Sequence, residues 1–397
     1  MAQLKFIGGL IAFIIFIGAG SVMMDRVLVP VSPYTDTLPV HSGCNTFLRG
    51  ETPYSEDATL RTQRIILSYD REYRTEDDQH RFVYPAHHCL LLLPLWLTPY
   101  DMGVPVWMFL NFTLFLILPI AFLYFLTGYR VPLGKSVLLI VTSLFMWRYS
   151  MITVIFAQYT GWILFCFVGA LWALKTKRSI LLALFAVGLT VRSGGAVFAI
   201  AILLYALYEQ RYISHLVFLS VMATLWVITL YMIGPWIPDF LDGLLNYTTY
   251  REDVAGWLPF RLGIIAGLLY ALGMAITGIS IMVRSWRENR ETFILWGFTT
   301  FAILELVFLP QTNDYTLVYA LPAIYLIAYS FRHNTIAFYL SVIVIALVPW
   351  VWSLWLSTLF EGRLDQLIMP AFILVMVVIA WVFGDEAIAS DATAPTT

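Results

Sequence analysis

The chain has 397 residues, 60% of them hydrophobic and only 12% charged, with a mean hydropathy of +0.80. A soluble domain carries about 25% charge, so this chain cannot cover its own surface with polar groups and is expected to be covered by lipid, as a polytopic all-α membrane protein. The formal net charge of −2 offers no basic field, so nucleic acid is not expected as a partner.

The first apolar run, Phe6–Met24, within a span at about Leu4–Met24, follows a single Lys5 and lacks a small-x-small cleavage site before Asp25. It reads as a retained first span rather than a removed signal peptide. From Asp25 to Met102 the chain is predicted to form a first external loop with interfacial helices. Within it, Ala58–Tyr73 carries an apolar stripe at Leu60, Ile65, Ile66, Leu67 and Tyr69 among charged neighbours, the pattern of a helix lying on the membrane surface. The next apolar run, Cys89–Leu97, is too short to span and lies between Pro85 and Pro99. If it crossed, Arg130 and Lys135 would fall outside, against the positive-inside rule. It is therefore expected to dip in and return, or to lie at the interface.

Spans follow at Val104–Leu126, Leu133–Trp147 and Gln158–Leu174, which leaves Lys175, Lys177 and Arg178 inside. The run Ile180–Tyr208 is interrupted by Arg192-Ser193-Gly194-Gly195. Two short helices joined at that break keep both flanking basic clusters on one side, so a broken pair is expected. Next come Ile213–Ile233, a long outer loop at Gly234–Phe260, and spans at Arg261–Val283, Thr292–Leu309, Tyr315–Phe331, Thr335–Leu356 and Leu367–Phe383. The sum is about twelve spans with both termini cytoplasmic. Met1–Gly384 forms one transmembrane domain, and the polar tail Asp385–Thr397 is expected to be disordered. The three cysteines show no metal or redox spacing and an odd count; Cys44 and Cys89 could pair if both face outward.

This topology gathers the unusual polar groups on the outer face and leaves ordinary basic loops on the inner one. Asp36 is isolated in a neutral stretch stiffened by Pro30, Pro33 and Pro39. Most loop acids are merely hydrated, but a held, partly desolvated carboxylate suits a general base that takes a proton from a hydroxyl. Arg192 lies within an apolar run, where a cation is costly unless paired or hydrated. It either forms a structural ion pair or grips a phosphate by bidentate hydrogen bonds. Arg148 falls near the outer face, against the charge rule, and is a second candidate for gripping a lipid phosphate. His87 and His88 are adjacent and would face different ways on a helix, a poor metal pair; interfacial packing or hydrogen bonds to a polar substrate are the alternatives. His41, Tyr84 and Gln158 join them as outer-face substrate candidates. Asp314, beside Tyr315, is either a helix cap or a substrate contact. Glu305, inside a span, either pairs internally or lines the pocket. No Gly-rich nucleotide loop is present, and neither a metal nor another cofactor is expected.

The order of these elements resembles glycosyltransferase family 87, the polyprenyl-phosphate-mannose-dependent α-mannosyltransferases of the GT-C superfamily. After the first span come Tyr34-Thr35-Asp36, then Leu48-Arg49-Gly50-Glu51-Thr52-Pro53-Tyr54, which fits the family's Leu-x-Gly-x-x-Pro-Tyr element. Tyr84-Pro85-Ala86 stands where the family has Tyr-Pro-Pro, Ala157-Gln158 where it has Gly-Gln, and Arg192-Ser193 where it has Lys-Pro. Asp314-Tyr315, with Pro322 beyond, matches its polar-Tyr helix start. The resemblance covers Met1–Leu207 well and the C-terminal half loosely. It implies a GT-C-like fold and a hexosyltransferase of the cell membrane, with Asp36 as catalytic base and inversion at the anomeric carbon. The implied donor is a polyprenyl-phosphate sugar and the acceptor a glycolipid or glycan hydroxyl. The rival reading is a transporter or flippase for lipid-linked sugars, which would be expected to show inverted halves; no internal repeat is visible.

Overall fold

The computed structural model describes residues 2–30, 35–67, 80–250, 262–309, 314–351 and 365–384, and those residues form helices and turns without a strand. Apolar runs of this length become helices because backbone polar groups in lipid must pair within their own segment. Among the described residues, five helices are long and apolar enough to cross a membrane, or six if one bent pair counts as a span; five more are apolar but only 10–17 residues long.

Helix α1 (Ala2–Val27) packs against α6 (Tyr100–Phe122). Gly20 lies so close to the Phe109 ring that a Cβ there would stand 2.1 Å from it, which brings the two helices together. Between them, α2 (Thr37–Leu48) and α3 (Glu56–Leu67) pack on one another, followed by two single-turn helices, α4 (His88–Leu91) and α5 (Leu93–Trp96). The run Cys89–Leu97 therefore does not span, as its length and charge context require. In α3 the packed face is Ala58, Thr59, Thr62 and Gln63, whereas Ile65 is exposed. Of the expected apolar stripe, Ile65 faces away from the protein while Leu60 and Ile66 are half-buried, and the continuation to Tyr73 lies outside the described residues. Cys44 and Cys89 form a disulfide that ties α2 to α4, while Cys166 is free and buried.

The segment expected to be one span at Leu133–Trp147 is more complex. Helix α7 (Leu133–Val141) widens into a π turn, bends by 59° at Trp147 and continues as α8 (Arg148–Ile155). Helix α9 (Thr160–Lys175) follows, and the expected broken pair is present as α10 (Ser179–Leu189) and α11 (Ser193–Tyr208). The turn between them is tight enough that a Cβ on Gly195 would stand 2.1 Å from the Leu189 carbonyl oxygen. At about 1.5 Å per residue, α10 rises only about 16 Å. That is about half the thickness of a hydrocarbon layer of about 30 Å.

After α12 (Tyr212–Ile233), the expected outer loop contains a helix, α13 (Ile237–Tyr250). The prolines that suggested a loop instead mark its start: Pro238 occupies the first turn, where a missing N–H costs nothing. The bundle closes with α14 (Ile264–Glu288), α15 (Arg290–Thr292), α16 (Phe298–Phe308), a 3-10 turn at Asp314–Ala320, α17 (Leu321–Ser330), α18 (Thr335–Val351) and α19 (Asp365–Phe383).

Charge separates the two ends of this bundle. At one end Lys175 donates to the Leu126 carbonyl (2.7 Å) and pairs with Glu291 (3.1 Å), Arg290 reaches both the Leu174 carbonyl (2.6 Å) and Glu209, and Lys135 donates to the Arg332 carbonyl (2.6 Å). Gly384, just past α19, packs on Ser330 at this same end. The disulfide and the polar cluster described next lie at the other.

Candidate functional site

Asp36 precedes the first turn of α2, exposed, and makes no side-chain cap to the helix. Its Oδ2 instead accepts a hydrogen bond from Gln158 Nε2 at 2.5 Å. The carboxylate is held, as the flanking prolines suggested, but it is exposed rather than half-shielded. Two contacts fix its neighbourhood: Thr37 Oγ1 donates to the Ala157 carbonyl (2.8 Å), and the Thr35 N–H donates to the Tyr100 hydroxyl (3.1 Å). Gln158 is buried, and its backbone carbonyl accepts from the Asn111 side chain (3.0 Å), so the turn that presents its amide to Asp36 is anchored on α6. Ala157 adopts a left-handed backbone (φ 50°), a conformation that favours glycine.

Arg192 stands at the break between α10 and α11, half-buried. Its Nη2 points at the Tyr315 hydroxyl (3.5 Å) and its guanidinium lies 5.1 Å from the Tyr315 ring centroid. Tyr84, Tyr319 and Glu305 are within electrostatic reach of the same cation. Glu305 projects from α16 over the first turn of α11, where a Cβ on Gly194 would stand 2.9 Å from its Oε1. Arg192 Nη1 and Glu305 Oε2 are both buried and have no hydrogen-bond partner among the described residues. Buried polar groups are nearly always paired, so these two atoms mark unused binding capacity.

Two aromatic rings join the acid to the cation. Tyr159 feels the charge of Asp36 and lies 5.5 Å from Tyr84, centroid to centroid, and Tyr84 in turn faces Arg192. Contacts thus join Asp36 to Gln158 and Arg192 to Tyr315, and the edge-to-face pair Tyr159 and Tyr84 lies within electrostatic reach of both. Sequence reasoning missed Tyr159 and Tyr319, since aromatic residues in an apolar chain read as interfacial belts. Glu305 was visible as an acid within a span, but its partner was not.

The two histidines sit behind this cluster. His88 is fully buried, donates from Nδ1 to the Val191 carbonyl (3.0 Å) and packs on Tyr84 and Tyr159. Thr190 gives its own hydroxyl proton to the Val187 carbonyl (2.7 Å), so His87 Nε2 donates to Thr190 Oγ1 (3.2 Å). Both rings thus brace the helix break that presents Arg192. They engage different partners and form no metal pair, and no cluster of three metal-ligating side chains occurs among the described residues. His41 is also a brace: Nε2 donates to the Thr98 carbonyl (3.0 Å) while Nδ1 accepts from Asn45 (3.0 Å). Arg148 stands at the margin, at the start of α8 and 5.9 Å from the Tyr149 ring centroid. The length of α8, about 12 Å, separates it from the Gln158 turn. Asp314 opens the 3-10 turn that carries Tyr315; its side chain lies outside the described set.

Burial pushes His87 down to about 4 and His88 to about 3, both below the ordinary histidine value of 6.5. They are neutral at pH 7 and serve as hydrogen-bonding groups. In the unfolded chain they bind protons first as pH falls, so stability is full above pH 7 and declines below 6.5 until the folded rings also titrate. At pH 5 the expected loss is about 2 kcal/mol per histidine. Melting temperatures between pH 7 and pH 5 test this. His88→Asn should roughly halve the decline, and an unchanged pH slope in that variant would remove the assignment.

Comparison with known protein families, with curated proteins and with solved structures finds no match to this chain.

Proposed function

We propose that the protein is a membrane glycosyltransferase that moves a hexose, mannose by resemblance, from a polyprenyl-phosphate donor to an acceptor hydroxyl on a glycolipid or glycan. The observation that carries this reading is the arrangement of an anchored carboxylate and a cation with spare hydrogen-bonding capacity, Asp36 and Arg192, joined by two tyrosines at one end of the bundle. In the proposed reaction Asp36 takes the proton of the acceptor hydroxyl, and the acceptor oxygen attacks the anomeric carbon. The bond from that carbon to the phosphate oxygen breaks, with inversion, and Arg192 stabilises the charge left on the polyprenyl phosphate. An acid and a cation flanking the sugar meet the two demands of such a displacement.

Two local features support the resemblance to glycosyltransferase family 87. Ala157 occupies a left-handed position where the family's Gly-Gln element has glycine. Arg192 lies at a helix break where the family's broken helical region carries lysine. In this reading the remaining helices complete a GT-C-like bundle of about twelve spans. The disulfide end faces the oxidising exterior of the cell membrane, and the basic end, with both termini, faces the cytoplasm. Arg148 guides the donor phosphate from the margin. Tyr84, Gln158, Tyr315 and Asp314 contact substrate, and His41, His87 and His88 act mainly by holding those elements.

The test is incubation of the purified protein with radiolabelled polyprenyl-phosphate mannose and a glycolipid acceptor in detergent. The expected result is label in a new glycosidic bond, resistant to the mild acid that cleaves the donor. A flippase would instead move unchanged donor across proteoliposomes. Label recovered only as donor, across a panel of acceptors, overturns the transferase reading.

A further inference from the structure

A second site lies at the opposite, basic end. There the loops that follow α9 and α11 meet the start of α15 around a pocket of about 610 Å³, lined by Lys177, Ser179, Glu209, Arg211, Tyr212 and Arg290 among others. This volume falls in the range of about 300–1,000 Å³ typical of small-molecule sites.

Its construction favours an anion. Lys177 (φ 60°) and Gln210 (φ 59°) both take the left-handed conformation, and each turns the chain so sharply that the next helix starts at once. Helices α10 and α12 consequently place their first turns, at Ser179 and at Tyr212 and Ile213, in the pocket wall. The first amides of a helix have no partner within it and carry the positive end of its dipole, and two such ends converge here. Three cations surround the pocket and only one acid lines it. Glu209 is shared between Arg211 (2.7 Å) and Arg290, and so neutralises neither fully. The Arg211 side chain is only 9% exposed, yet its Nη1 has no hydrogen-bond partner among the described residues. Lys177 is exposed at the rim.

The rim identifies the source of the anion. Tyr212 and Ile213 are 63% and 61% exposed, and they continue into the outward apolar faces of α10 and α12 through Ile180 and Leu216. A ligand whose phosphate enters the pocket can lay acyl chains along that surface. Basic pockets between membrane helices suit acidic head groups in this way. We propose that this pocket binds the phosphate of an anionic membrane lipid. The inference is independent of the transfer reaction, since it rests on the other end of the bundle.

The full-length protein in phosphatidylcholine nanodiscs tests it, with phosphatidylglycerol titrated in and the melting temperature followed. A saturable rise is expected. Lys177→Gln should weaken the apparent affinity about fivefold, the effect of one cation near a membrane surface. Arg211→Gln should weaken it at least as much, but its tie to Glu209 could also disturb folding, so the exposed Lys177 is the decisive position. Arg178→Gln removes a neighbouring exposed cation that does not line the pocket and should leave the titration unchanged. A loss with Arg178→Gln equal to that with Lys177→Gln would overturn the pocket in favour of diffuse surface charge. No saturable rise would overturn it outright. Equal protection by inorganic phosphate added to the nanodiscs would overturn a lipid as the source.

Discussion

Asp36→Asn should lower sugar transfer by about 10² to 10⁴ while leaving the folded protein intact, the range typical for loss of a positioned general base. The substitution is close to isosteric, and an asparagine carbonyl can still accept the Gln158 hydrogen bond. Asp36 is exposed and contributes no side-chain cap to α2. Its replacement therefore removes proton affinity without removing packing, and surface changes of this kind usually alter stability by about 0.5 kcal/mol or less. The measurement is initial transfer rate at saturating donor, alongside the melting temperature of the same preparation. Gln158→Ala is the companion variant. It keeps the carboxylate but releases its anchor, so its rate should fall between wild type and Asp36→Asn, because reacting groups lose rate when they are misplaced by about 1 Å. A folded Asp36→Asn protein that transfers at near wild-type rate would remove Asp36 as the base and send the search to another acid at that end.

Several features of this bundle were legible in the sequence because composition constrains them strongly. The run Cys89–Leu97 could not span, and the basic loops at Lys175–Arg178 and Glu209–Arg211 had to share a side. The structure agrees, with Arg290 holding the Leu174 carbonyl and Glu209 together. Other features were hidden because hydrophobicity is blind to direction. The bend at Trp147 leaves an apolar run apolar, so α8 could not be separated from its neighbours. Proline signals both loops and helix starts, which concealed α13 behind Pro235 and Pro238. In α3, threonines pack against α2 while Ile65 faces out. A soluble protein would invert that choice, but near a membrane the apolar side has a second place to go. The Cys44–Cys89 bond was one of several options open to three cysteines until α2 and α4 were seen side by side.

The site was legible in a different sense. Asp36 and Arg192 came from charge placed where little charge belongs, and motif order added Gln158; neither says what holds them. The supporting contacts are long-range: His88 reaches the Val191 carbonyl and Gln158 reaches Asp36 across more than 100 residues of sequence. No local periodicity encodes such pairings. Tyr159 and Tyr319 emerged only when the helix break at Arg192 was placed in three dimensions.

Arg192→Ala carries the second large effect, and two consequences must be kept apart. On the proposed reaction the cation stabilises charge on the departing phosphate, and loss of one such group typically costs about 10² to 10³ in rate. Donor affinity should fall as well, and more than acceptor affinity, because the ground-state donor already carries the phosphate. The same substitution also removes the cation within electrostatic reach of Glu305, which sits buried beside Gly194. Loss of the nearby cation leaves this buried acid less well compensated, so the single variant could lose activity by unfolding. Arg192→Ala combined with Glu305→Gln removes both charges and should recover most of the melting temperature but none of the donor binding. Arg192→Lys restores a positive charge without the planar fork, and should retain partial transfer at raised donor KM. Donor binding measured in the absence of acceptor decides the matter. If the folded double variant binds donor as tightly as wild type, Arg192 is a structural countercharge to Glu305, and the phosphate must be held elsewhere.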